Sequence, residues 1–183
     1  MGIQLPAGIN RVLVTGGAGF IGGAVVRRLL AETTATVFNL DKCGYASTDE
    51  VFGSLGATGR FSETTPYAPA APLQRSRRPV LTNCSNNYGP WQFPEKLIPV
   101  VILKAAAGEP IPLYGDGANV RDWLVVEDHV DALLLAACRG TPGRAYCLGG
   151  HGERTNKQVV EAICSALDAL LPAGAPHSQL TPG

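Results

Sequence analysis

Thr48-Asp49-Glu50 sets a hydroxyl and two carboxyl groups side by side. Two carboxyl groups held in opposite protonation states can give and take protons around one substrate, which is general acid–base chemistry. In an extended strand Asp49 and Glu50 would face opposite sides. Serving one ligand therefore needs a strand that runs out into a turn; a solvated turn or helix cap is the plain alternative. Upstream, Gly16-Gly17-Ala18-Gly19-Phe20-Ile21-Gly22 offers a different chemistry. Closely spaced glycines allow a tight turn and near approach of a pyrophosphate, and a following helix N-terminus adds N–H donors and a positive dipole end.

The elements needed to position that loop are present. Arg11–Thr15 reads as a buried strand entering the glycines. Apolar residues at Ile21, Ala24, Val25, Leu29 and Leu30 then predict an amphipathic helix over 22–31. Thr36–Leu40 is a second strand, ending at Asp41, nineteen residues beyond Gly22. Strand, glycine turn, helix, strand and terminal acid together are the context a dinucleotide site requires. Asp41 would accept the adenosine ribose hydroxyls and repel a 2′-phosphate, which favours NAD over NADP; Lys42 tempers that preference.

Farther on, 53–79 shows no period and reads as loop, long for a compact domain. Strands are predicted at 79–82, 120–126 and 144–148. Helices are predicted at 99–107, with Gly108 as its C-cap, and at 127–138. The last helix begins with a capping box, Thr155 and Gln158, and carries an apolar stripe of Val159, Ile163, Ala166, Leu167 and Leu170. The expected fold class is α/β with a Rossmann-type parallel sheet.

Ser47–Gly53 is similar to a signature of the extended short-chain dehydrogenase/reductase family. Thr82-Asn83-Cys84-Ser85-Asn86-Asn87-Tyr88-Gly89-Pro90, Phe93–Pro99, Tyr114-Gly115-Asp116-Gly117 and Arg121-Asp122-Trp123-Leu124 extend the likeness. Together they resemble the dTDP-glucose 4,6-dehydratases of that family. The resemblance implies a partial Rossmann-type parallel sheet with a small C-terminal sugar-nucleotide-binding portion, an incomplete NAD-binding portion over 1–82 preceding a mixed substrate-binding portion over 83–183 with interleaved Rossmann elements. The resemblance implies an NAD-dependent lyase of nucleotide-sugar metabolism that converts dTDP-glucose to its 4-keto-6-deoxy product. Asp49 would be the acid and Glu50 the base, with Thr48 on the C4 oxygen. Gly16, Gly19, Phe20, Ile21, Gly22, Asp41, Lys42 and Asn87 would meet the cofactor. Asn86 would contact the substrate, Lys96 and Leu97 the diphosphate, Pro112, Leu113 and Tyr114 the nucleotide, Arg121 a phosphate, and Asn156 the substrate again. Tyr114 as core packing, Lys96 as a surface charge and Asn156 as a helix cap are the structural alternatives.

Charge and composition narrow the partners. Fifteen basic residues balance fifteen acidic ones, and 45% of the 183 residues are hydrophobic. That pattern argues for a packed core and against a nucleic-acid or membrane footprint. Five cysteines without CxxC spacing read as free thiols of a reducing cytoplasm. No signal peptide is read at the N-terminus. His129 reads as helix-face packing and His151 as a loop residue, and no metal site is expected.

Two departures from the family pattern stand out. The family's Tyr-x-x-x-Lys pair, whose tyrosine takes the C4 hydroxyl proton, occurs nowhere in the chain; Leu73 and Arg77 stand near its register, and Tyr67 is followed at i+4 by Ala71. Ser47 follows Asp41 by only six positions, where a strand–crossover–strand unit alone takes roughly 30 residues. An internally deleted and C-terminally truncated dehydratase relative is the expectation, its family-type homodimer interface lost with the missing helices. A non-catalytic remnant and another nucleotide-sugar epimerase of the same family stay open; the Asp49-Glu50 pair argues against the epimerase. The segment Leu73–Arg78 suggests a frameshift or a misjoined coding sequence, since codons for Leu73-Gln74-Arg75 can encode Tyr-Ser-Ala when shifted by one nucleotide. Sequencing the locus checks this: codons giving no Tyr-Ser-Ala in another frame would rule it out.

Overall fold

The computed structural model describes residues 3–41, 80–113 and 115–170. In chain order the elements are β1 (Arg11–Thr15), α1 (Phe20–Glu32), β2 (Thr36–Leu40), β3 (Leu81–Cys84), β4 (Asn86–Tyr88), α2 (Leu97–Ala107), β5 (Val120–Val125), α3 (Val126–Arg139), β6 (Ala145–Leu148), β7 (Glu153–Thr155) and α4 (Asn156–Leu170). The class is α/β with parallel strand pairs, as the sequence predicts. The described residues divide into two units. The first holds the chain through Cys84 together with Val126–Leu148; the second holds Ser85–Val125 and the chain from Gly149.

In the first unit β1 and β2 pair in parallel, with Leu13 opposite Phe38, and β3 pairs with β6, also in parallel. Parallel strands joined by a helix must cross over, and α1 is that crossover. It starts at Phe20, two residues before the predicted start, because Gly19 already serves as its N-cap. Its buried stripe of Ala24, Val25 and Leu29 meets Val126, Val130 and Leu134 of α3. Each large side chain so buried contributes about 1.5–3 kcal/mol. Val12, Val14 and Val37 of the strands pack onto the same cluster. The alternate residues face the other way: Leu13 is 63%, Phe38 51% and Leu40 62% exposed. One face of the β1–β2 pair is thus packed and the other bare.

The second unit is built on the sheet β4-β5-β7, parallel between β4 and β5 and antiparallel between β5 and β7. Helices α2 and α4 pack together, with Val101, Ala105, Leu124 and Val160 buried. Gly108 ends α2 in the left-handed region at φ 69°, the predicted C-cap. The capping box of α4 is made in both directions: Gln158 N–H donates to Thr155 Oγ1 at 3.1 Å, and Thr155 N–H donates to Gln158 Oε1 at 2.9 Å.

Several expectations are corrected. The strand predicted at 79–82 runs Leu81–Cys84. The apolar stripe of α4 is centred on Val160, which is fully buried, whereas Leu170 is 80% exposed and Ala166 lies on the exposed side. The three-residue strands β4 and β7 carry no period of their own and are defined by pairing with β5. Residues 42–79, Tyr114 and 171–183 lie outside the described residues.

His129 on α3 is only 3% exposed, and its Nδ1 lacks a hydrogen-bond partner. Burial lowers its pKa below the usual histidine value, so it is neutral in the folded protein. The unfolded chain then binds the extra proton as pH falls, and stability present above about pH 6.5 is lost on acidification. Urea denaturation from pH 7 to pH 5 is expected to show that loss, and His129→Leu is expected to flatten it. An identical slope in the variant would count against His129 as the cause.

Candidate functional site

Three successive amides of the glycine loop are tied to three successive residues at the end of β2. Gly16 N–H donates to the Leu40 carbonyl at 2.9 Å. Gly17 N–H donates to Asn39 Oδ1 at 3.0 Å, and Ala18 N–H donates to Asp41 Oδ2 at 2.8 Å. Asn39 and Asp41 are two apart on a strand, so both side chains leave the same face. Asn39 was not among the predicted site residues; its i, i+2 relation to Asp41 is the signal that would have found it.

The loop's conformation is specific to glycine at two places. Gly16 has φ +74°, a region open to glycine at little cost. At Gly22 a Cβ would overlap the Gly16 carbonyl and lie 3.0 Å from Gly17 Cα. The start of α1 therefore lies directly against the loop backbone. Phe20 and Ile21 pack their side chains on the core of the first unit, which leaves only their backbone N–H groups to face a ligand. The first turn of α1 has no side-chain cap and no acidic residue. A pyrophosphate suits such a terminus. A carboxylate accepts several hydrogen bonds, so Asp41's contact with Ala18 is compatible with ribose recognition.

The second unit carries most of the predicted substrate residues. Asn86 opens β4 opposite Trp123, and Arg121 on β5 is exposed opposite Arg154 of β7. Two guanidinium groups facing each other across a ladder repel unless an anion lies between them. Asn156 is the first residue of α4, and its N–H donates to the Asn119 carbonyl at 3.0 Å, tying it to the approach to β5. Asn87 is half-buried; its Nδ2 donates to the Ser85 carbonyl, and its own carbonyl accepts from Gln92 Nε2, both at 2.9 Å. Lys96 is the N-cap of α2 and Leu97 its first residue. Pro112 is exposed, while the Leu113 side chain fills the space beside Gly117. Asn86, Arg121 and Asn156 thus lie on or next to strands of one sheet. Lys42, Thr48, Asp49, Glu50 and Tyr114 lie outside the described residues. Among the described residues no group of His, Cys, Asp and Glu is placed to hold a metal, and no helix is long and apolar enough to cross a membrane.

Comparison with known proteins agrees with this geometry. Residues 35–149 match the family described as the NAD dependent epimerase/dehydratase family. Over 144 residues the chain is 54% identical to a dTDP-glucose 4,6-dehydratase of Xanthomonas campestris pv. campestris, covering 70% of this chain and 41% of that protein. It is 34% identical to a dTDP-glucose 4,6-dehydratase of Neisseria gonorrhoeae over 276 residues, covering 90% of this chain and 80% of that one. That second alignment is longer than the chain's own 183 residues, so a long internal stretch of the relative has no counterpart here. The crystal structure of dTDP-glucose 4,6-dehydratase from Bacillus anthracis in complex with NAD matches with a TM-score of 0.77 at 30% identity, covering 94% of this chain and 85% of that one. The chain spans about two fifths of the length of the first curated relatives it matches, 41%.

The two glycines respond differently to a methyl group. Gly16→Ala meets open space and strains only φ, costing about 1–2 kcal/mol. Gly22→Ala drives Cβ into backbone that cannot rotate away, costing about 3 kcal/mol. Chemical denaturation of both variants checks this, and equal costs would contradict the close approach of α1 to the loop.

Proposed function

Because the chain belongs to the NAD dependent epimerase/dehydratase family, we propose that it binds NAD and a thymidine-diphosphate sugar, and that its inherited reaction is the dehydration of dTDP-glucose to dTDP-4-keto-6-deoxyglucose. The observation that carries this reading is the glycine loop, held by Asn39, Leu40 and Asp41 against an uncapped helix start. Gly16, Gly19, Phe20, Ile21 and Gly22 would hold the pyrophosphate through backbone N–H groups, and Asp41 the adenosine ribose; Lys42 and Asn87 complete the cofactor set. Bound NAD supplies a reversible hydride acceptor.

The chain's own residues account for the rest. Thr48 would hydrogen-bond the C4 oxygen, Glu50 would take the C5 proton, and Asp49 would protonate the departing C6 hydroxyl. Arg121 offers a planar fork of donors suited to a diphosphate. Asn86, Lys96, Leu97, Pro112, Leu113, Tyr114 and Asn156 form the remaining nucleotide-sugar contacts. A cytoplasmic location fits the free thiols of Cys138 and Cys164.

A second reading has its own observation. No Tyr-x-x-x-Lys occurs in these 183 residues, so the base that would take the C4 hydroxyl proton is absent. Without it the oxidation that opens the sequence is blocked, and the chain acts as a binding protein with little or no turnover.

Purified protein, checked for folding by circular dichroism, is titrated with NAD and then incubated with NAD and dTDP-glucose. NAD binding without 4-keto product is the expected outcome, with affinity falling about tenfold in Asp41→Asn through loss of a charged acceptor. Product formation would overturn the block, and a folded chain that takes up no NAD would overturn the cofactor assignment.

A further inference from the structure

Asp122 lies on β5 between Arg121 and Trp123, and its carboxylate is used by the chain that leads into β7. Oδ1 accepts Gly152 N–H at 2.7 Å and Oδ2 accepts Gly150 N–H at 2.8 Å. Both amides belong to the connection 149–152 that leads into β7. The connection lies flat against β5. A Cβ on Gly150 would overlap the Trp123 carbonyl, one on Gly152 would come within 2.9 Å of the same oxygen, and one on Gly149 would stand 2.8 Å from Asp122 Oδ2. Between the two anchored amides His151 adopts φ 49°, a left-handed conformation that costs a non-glycine residue and persists only where its surroundings impose it.

Ser85, just before β4, has its Oγ buried without a hydrogen-bond partner. Partial burial alone would raise the Asp122 pKa. The Gly152 and Gly150 amides, the Ser85 hydroxyl and nearby His151 outweigh it, and the pKa lies below the usual aspartate value. The carboxylate is therefore a fixed anion under ordinary conditions.

The placement of these contacts gives them a role. Arg121 adjoins Asp122, and Asn156 follows Gly152 by four residues. Since β5 is the central strand of β4-β5-β7, a side chain on it that holds the connection 149–152 can set how β7 lies beside it. We propose that Asp122 is a positioning residue, an anionic pin that fixes the connection into β7 on β5 and so holds Arg121 and Asn156 in the arrangement that grips a nucleoside diphosphate. The proposal rests on the nucleotide-sugar reading given above. An isosteric amide cannot do the same work: one acceptor would turn into an N–H₂ group facing a backbone donor.

The test compares the full chain with D122N. In NMR spectra the Gly150 and Gly152 amide protons are expected downfield in the wild type, and displaced upfield with about tenfold faster exchange in the variant. Affinity for dTDP is expected to fall about tenfold, while affinity for NAD stays unchanged, a split that general destabilisation would not produce. Unmoved amide signals overturn the pin. Displaced signals with unchanged dTDP affinity overturn its positioning role. A wild-type chain that takes up no dTDP removes the nucleotide-sugar reading and with it the positioning role, while the amide signals still decide whether the pin exists. Should D122N fail to fold by circular dichroism, D122E keeps the charge but displaces the carboxylate from the Gly150 and Gly152 amides; about threefold weaker dTDP binding is then expected, and unchanged affinity overturns the proposal.

Discussion

Leu29, Val126 and Val130 meet in a seam that excludes water, and the first unit depends on it. Among the described residues no ladder of backbone hydrogen bonds joins the β1–β2 pair to the β3–β6 pair. A continuous parallel sheet would link its strands through directional bonds. Here α1 rides on one pair and α3 on the other, and side-chain packing between the helices makes the join. The ion pair between Arg28 and Asp131, at 2.9 Å, lies at the rim of this seam. Half-exposed, it contributes at most about 1 kcal/mol. The apolar contacts dominate, and they are non-directional. They bring helices together well but fix register less strictly than a ladder does.

The site has the opposite character. Its positions are set by directional bonds over short distances: three loop amides on β2, two connection amides on Asp122, and a reciprocal cap at the start of α4. Such bonds are individually modest in net energy but demanding in geometry. Each unit thus has an apolar core for stability and a polar frame for placement.

The parts legible in the sequence were those whose signal is local. The strands β1 and β2 have apolar runs closed by turn residues, and the capping box of α4 and the C-cap at Gly108 are written in residues adjacent to the helix ends they control. The family motifs pointed to Asn86, Arg121 and Asn156, which lie on β4, on β5 and directly after β7. What escaped was non-local. β4 and β7 are three residues each and exist through β5. Asn39 looked like an ordinary strand residue because its partner lies 22 positions back in the loop. Asp122 was seen only as part of a motif, since its partners lie 28 and 30 positions ahead. The stripe of α4 was displaced by one residue because Val159 and Val160 are equally apolar, and only the packing selects Val160.

The outward face of the β1–β2 pair has a practical side. Leu13, Phe38 and Leu40 form an oily surface on a short parallel ribbon, and parallel strands are ordinarily covered on both faces. Surfaces of this kind adhere to one another. The two strands that position the glycine loop thus also present an apolar surface to the surroundings, and a polar residue at Leu13 or Phe38 would make that face less adhesive without touching the loop.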